Sequence, residues 1–218
     1  MAILKTVFVH PVRFIIAMHK LFNRPRSYFM KVGYLSTILT KVPKDTNGDY
    51  LPWMNYAVID FLSKKLNKSL HLFEYGSGFS TIYFSKRTAS VTSVEYNKSW
   101  YDKVLDLIKE HTNAKVHYYP LDDGYISAIQ KIDASKKYDV IIIDGRKRVH
   151  CALNSYPSLK DNGVLLVDDT HRAYYQDIFD FYTQKGYNQI TFTGMKPTGT
   201  EYEATTLFYK TGNNCLGI

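Results

Sequence analysis

Phe73-Glu74-Tyr75-Gly76-Ser77-Gly78-Phe79-Ser80-Thr81 is the stretch on which the fold turns. A short apolar run at 70–73 leads into it and a helical pattern at 82–87 leads out, so the two glycines stand between a strand and a helix. Glycine at such a turn removes the side chains that would block a ligand's approach to backbone. Ser77, Ser80 and Thr81 add hydroxyls and a candidate helix cap.

The same alternation repeats downstream. Apolar runs at 91–94, 116–119, 140–143 and 164–167 read as buried strands. Helical patterns at 100–109, 125–132 and 152–159 fall between them, a helix at 174–185 follows, and two more strands lie at 189–193 and 203–209. The expectation is an α/β fold: a doubly wound, Rossmann-like, seven-stranded and mostly parallel sheet with helices on both faces. Its ligands belong beyond the carboxyl ends of the strands.

Upstream, the polar turn-rich segment 43–49 marks a boundary. Residues 1–48 form a basic N-terminal helical arm and 49–218 the α/β domain, with Pro52 placed to open a helix over 54–66. The chain of 218 residues carries a net charge of +8, all of it in residues 1–44 of the arm. From residue 1 to Lys44, Lys5, Arg13, Lys20, Arg24, Arg26, Lys31, Lys41 and Lys44 meet no acidic residue, and the rest of the chain is balanced. Such asymmetry asks for an anionic partner, or is simply a solvated face. The longest apolar run in the arm, 14–18, is too short to span a bilayer, and Arg13 interrupts any signal-like segment. Peripheral contact with a membrane surface, packing on a second copy in a homo-oligomer, and packing on its own domain all stay open. Two distant cysteines, Cys151 and Cys215, fit a reducing, cytoplasmic setting and exclude the usual zinc sites.

Glu74, at the strand end before the glycines, decides between ligands. A dinucleotide brings a pyrophosphate to the helix N-terminus, and a carboxylate there repels it. The third glycine of the dinucleotide fingerprint is also replaced, by Thr81. A ligand with an ammonium and a sulfonium, such as S-adenosylmethionine, is favoured instead. Glu95 ends the second strand, where a carboxylate can accept from both ribose hydroxyls. Tyr96 can lie against an adenine, and Asp123, after the third strand, can take its amino group or cap a helix.

Glu74-Tyr75-Gly76-Ser77-Gly78 followed by Glu95 resembles the cofactor site of class I S-adenosylmethionine-dependent methyltransferases, over about residues 52–210. The resemblance implies that Glu74 lies near the methionyl end of the cofactor and that Glu95 holds the ribose. It also implies a sheet with one antiparallel strand near its edge.

The fourth strand ends in Asp144-Gly145-Arg146-Lys147 and the fifth in Asp168-Asp169-Thr170-His171-Arg172. Both ends point to the ligand side, so these groups converge on one cleft. Three carboxylates held together repel unless a cation joins them, and hard oxygen ligands suit magnesium or calcium. The set is similar to that of the catechol-type O-methyltransferases, which implies Asp144, Asp168 and Asp169 as metal ligands and Lys147 as base. Asp169 stands where that group has asparagine. A glycan- and metabolite-cluster methyltransferase group is similar too and does not always need metal. Histidine as a residue type ordinarily titrates near neutrality, so His171 is the other candidate base, and Asp144 serves both cofactor and catalysis. Arg146, Lys147, Arg148 and Arg172 make the cleft mouth basic, which suits an anionic acceptor. The segment 194–200 reads as a connection between edge strands, or as a lid.

The expected function is O-methylation of a small-molecule or glycan-type acceptor, with no nucleic-acid module in view. The alternatives are an NAD-dependent oxidoreductase and a non-catalytic nucleoside-binding scaffold of the same fold.

Overall fold

The structure, a computed structural model, describes residues 10–218 apart from the side chain of Asp123. Lys5 and its neighbours in 1–9 lie outside the described residues. The arm begins with α1 (Pro11–Phe22), which has proline in its first turn, and continues through α2 (Tyr28–Lys31) and α3 (Tyr34–Thr40). Segment 43–49 is a closed turn in which Asp45 accepts the backbone N–H groups of Asn47 and Asp49, and a bridge pairs Lys44 with Tyr50.

The next helix, α4 (Tyr56–Lys65), starts later than the sequence pattern suggests. Its cap is Asn55, not Pro52: Asn55 Oδ1 accepts the Val58 N–H at 3.0 Å, while its amide donates to Phe192 O at 3.0 Å and Thr205 Oγ1 at 2.9 Å. A buried side chain that satisfies a helix end and two distant groups at once outweighs proline's local preference for a first turn.

Seven strands follow: β1 (His71–Tyr75), β2 (Ser90–Glu95), β3 (Ala114–Tyr118), β4 (Tyr138–Ile143), β5 (Leu159–Asp168), β6 (Asn188–Gly194) and β7 (Glu203–Tyr209). They form one sheet in the order β3-β2-β1-β4-β5-β7-β6, with β7 antiparallel to both of its neighbours. Between them run α5 (Phe79–Arg87), α6 (Lys98–Ile108), α7 (Asp123–Ile126), α8 (Ala128–Ile132), α9 (Arg148–Ser155) and α10 (Gln176–Gln184). The helical pattern at 125–132 is thus two short helices, and the one at 152–159 begins earlier, at Arg148.

The centre of the sheet is buried on both faces, with period two. Val140, Ile142, Val164 and Leu166 pack on the side of α4 together with Tyr34 of the arm. Ile141, Ile143, Leu165 and Val167 pack on the side that holds Ile129, Ala152 and Ile178. Each such side chain contributes about 1.5–3 kcal/mol on full burial, which is why near-continuous aliphatic runs appear as parallel strands here. The strand order reverses between β1 and β4, which pair from Leu72–Val140 to Tyr75–Ile143. Their carboxyl ends therefore open a crevice at the switch point.

Candidate functional site

That crevice is a cleft of about 400 Å3. Gly76, Ser77, Gly78 and Ser80 line it, as do Glu95 and Tyr96, Asp144, Gly145 and Arg146, and Asp169. Gly76 has φ +96°, and a Cβ there would meet the Asp144 backbone at 3.2 Å. Gly145 is held even more tightly, since a Cβ would fall 2.0 Å from the Tyr125 hydroxyl and 3.0 Å from Gly76 N. The ends of β1 and β4 thus touch backbone to backbone, and the floor of the cleft is polypeptide rather than side chain.

Glu95 stands where the sequence places it. Its Oε1 accepts the N–H groups of Tyr96 at 2.9 Å and Asn97 at 2.8 Å, while Oε2 has the Ser77 hydroxyl alone, at 3.2 Å. Two backbone donors fix the carboxylate's orientation and leave Oε2 with spare acceptor capacity toward the cleft. Tyr96 lines the same wall, with its hydroxyl accepting from Arg146 Nε at 3.3 Å. Asp123 opens α7, and its side chain lies outside the described residues.

Glu74 differs from expectation. It does not line the cleft but lies buried beneath the glycine turn, where Oε1 accepts from the Ser93 hydroxyl at 2.6 Å and from Thr81, and Oε2 accepts from Ser80 at 2.9 Å. The cause is the pleat: Phe73 and Tyr75 face one side of the sheet, so Glu74 faces the other, under α5. Burial pushes its carboxyl up to about 7 despite those three donors. Thr81 is buried with it and accepts the Gly78 N–H at 3.1 Å, so it shapes the turn rather than facing a ligand.

The three aspartates do converge, but the cations that join them are the protein's own. Asp168 is fully buried; its Oδ1 accepts from Thr205 at 2.6 Å and its Oδ2 from Lys196 Nζ at 2.7 Å. Asp169 receives Lys196 at 2.5 Å on Oδ1, and on Oδ2 Arg148 at 3.1 Å and Arg172 at 2.8 Å. Asp144 pairs with Arg148 at 3.0 Å. A divalent ion does not fit this set, because an ammonium and a guanidinium already occupy the oxygens that would ligate it. Magnesium bound by Asp144, Asp168 and Asp169 is therefore corrected to an internal salt-bridge network. In it, Asp169 is drawn down to about 2: burial works against ionisation, but Arg148, Lys196 and Arg172 outweigh it. Lys196 is raised, its burial overcome by Asp168 and Asp144, so it remains an ammonium. Asp144 is pushed well above the usual carboxylate range, first by burial and then by Asp168.

Neither expected base reaches the cleft. Lys147 precedes α9 in a left-handed conformation, φ +49°, and its side chain is exposed away from the lining residues. The backbone reversal that sets Arg148 toward Asp144 swings Lys147 outward. His171 sits instead against Glu203, Nδ1 to Oε2 3.3 Å, outside the cleft. Asp144 is the expected catalytic residue that does line it.

Other lining residues escaped the sequence reading. Trp100 donates its indole N–H to Ser77 O at 2.8 Å and lies against Gly78. Trp53 and Phe79 complete an aromatic side, with ring centroids 6.4 Å apart. The signal was faint: the chain has two tryptophans, and both are here. Lys196 comes from the 194–200 segment, which reaches over to the site. Met195 O accepts the Tyr56 N–H at 3.0 Å, and Gly199 O accepts the Tyr34 hydroxyl at 3.1 Å.

No family model matches the chain, and neither does any curated protein. Solved structures do match its shape. Precorrin-6y C5,15-methyltransferase from Geobacter metallireducens superposes with a TM-score of 0.54 at 16% identity, over 70% of this chain and 86% of that one. Fibrillarin from Aeropyrum pernix, solved with natively bound S-adenosyl-L-methionine, gives 0.53 at 14% identity over 69% and 73%. A methyltransferase-like protein from Silicibacter pomeroyi gives 0.53 at 22% identity over 72% and 88%. At these identities the likeness establishes the fold: the sheet and helices of class I S-adenosylmethionine-dependent methyltransferases, with added N-terminal helices.

Proposed function

We propose that the chain is an S-adenosylmethionine-dependent O-methyltransferase acting on a small, anionic acceptor. The observation that carries this reading is Glu95, a carboxylate aimed by two backbone N–H groups into a cleft floored by Gly76 and Gly78. Its Oε2 suits ribose hydroxyls, each such charged hydrogen bond being worth roughly 1.5–3 kcal/mol. The bare Gly76-Ser77-Gly78 backbone and Trp100 fit the rest of a nucleoside, and Tyr96 a base. When bound, S-adenosylmethionine supplies a methyl group already activated by its sulfonium.

The chain's own task is then to align an acceptor and take a proton. Asp144 is the residue for that step: it lines the cleft, and as a carboxylate it can accept the proton an acceptor hydroxyl gives up. Arg146 and Arg172, exposed at the rim, favour an acceptor bearing a carboxylate, sulfate or phosphate.

Calorimetry with S-adenosylhomocysteine and, separately, NAD tests the reading. Binding of the first, weakened about 10- to 100-fold in Glu95→Ala, supports it. Binding of NAD alone overturns it.

A further inference from the structure

Helix α1 has no buried residue, yet it is strongly two-sided. At helical spacing Phe14, Ile15, Met18, Leu21 and Phe22 share one flank, and Arg13 and Lys20 fall on the other. Val12 and Ile15 are 67% and 66% exposed, and Leu39 of α3 reaches 82%. The apolar flank continues at Phe22 into an open groove shared with Phe29, Met30 and Leu35, where the Phe22 and Phe29 rings meet at 5.4 Å. Monomeric proteins rarely leave such a contiguous surface bare without use.

The charge beside it is equally unspent. Among the described residues, no basic side chain from Arg13 to Lys44 takes part in an ion pair. Arg24 and Arg26 stand exposed directly after α1. No helix among the described residues is long and apolar enough to cross a membrane. An apolar flank with unpaired cations and no acid is the composition of a helix lying in the plane of a lipid interface.

We propose that α1 and the Phe22–Leu35 groove dock on an anionic lipid surface, with the apolar flank entering the headgroup boundary and Arg13, Lys20, Arg24 and Arg26 facing lipid phosphates. A second copy is the poorer occupant. An isologous contact through α1 would set its cations and those of Arg24 and Arg26, with no acid among residues 11–26, against the same cations of the other copy, and like charges across an interface repel.

Flotation of the full chain with phosphatidylcholine vesicles, with and without phosphatidylglycerol, tests this. The expected result is co-flotation with the phosphatidylglycerol-containing vesicles, weakened by salt and lost in a Val12→Asp/Ile15→Asp variant. Arg13→Gln and Lys20→Gln should each weaken it about fivefold. Both sets of changes sit on exposed positions, and circular dichroism checks that the fold is kept. Three results overturn the proposal: wild type left unbound at low salt, variants that float as well as wild type, or a dimer by sedimentation that Ile15→Asp dissociates while vesicles go unbound. The glutamine pair keeps the test alive should the aspartate pair misfold.

Discussion

Lys196 and Asp168 form an ion pair, Nζ to Oδ2 2.7 Å, whose acidic member is wholly shielded from solvent. The same ammonium serves Asp169, so one side chain from the far connection neutralises the end of β5. Removing one partner of a buried pair leaves the other charged and unpaired, at a cost of about 3–5 kcal/mol. Lys196→Met should therefore lose stability on that scale in urea titrations, whereas the pairing of Lys64 with Asp60 on the surface of α4 should be nearly silent when broken.

Glu74 predicts a pH dependence. Its folded carboxyl titrates near 7, raised by burial from 4.5, so between those values the folded state holds a proton that the unfolded state has released. Its contribution is fully present below about pH 4.5 and is lost as pH rises to about 7, amounting to about 3 kcal/mol. Asp144 is shifted in the same direction, so the measurement is a difference. Wild type minus Glu74→Gln, from denaturation midpoints across this range, should fall with rising pH; a flat difference would count against a buried protonated acid.

Gly145 faces the Tyr125 hydroxyl too closely for any side chain. Gly145→Ala should cost about 1–3 kcal/mol as the site shifts to make room. Adding Tyr125→Phe, which deletes the clashing oxygen, should restore part of that in a double-mutant comparison. Gly76 N and Tyr75 C, near 3 Å, keep the rescue incomplete.

Under the proposed chemistry, Asp144→Asn should lower turnover by about 10²–10⁴ with nucleoside affinity kept. Lys147→Gln and His171→Gln should retain activity, because neither side chain lines the cleft. Release of S-adenosylhomocysteine, followed across a panel of hydroxyl-bearing acids, distinguishes the three variants. Full activity in Asp144→Asn would remove it as the proton acceptor.

Why some of this was legible in the sequence is a matter of range. The runs Val140–Ile143 and Val164–Val167 announce central strands because burial on both faces demands aliphatic side chains throughout. That same double burial hid the orientation of Glu74: with Leu72, Phe73 and Tyr75 all apolar, the alternation that tells inside from outside is erased. Glu95 was readable because it ends a strand and is aimed by its immediate neighbours, Tyr96 and Asn97. Lys196 was not, because its importance lies in carboxylates on another strand, brought near only when β7 inserts between β5 and β6. Lys147 misled for a local reason, since a single left-handed residue reverses which of two adjacent basic side chains enters the site.

The hydrogen bond from Tyr34 to Gly199 ties the arm to the strap that carries Lys196, and Tyr56 pins that strap a second time at Met195. A chain cut between Tyr34 and Tyr56 would arrive at the bench with its counter-ion on a loosened hinge. Trimming the amino terminus to improve solubility would thus detune the charge balance of a hollow that the described residues before Trp53 do not line, and a dead truncation would say nothing about lipid.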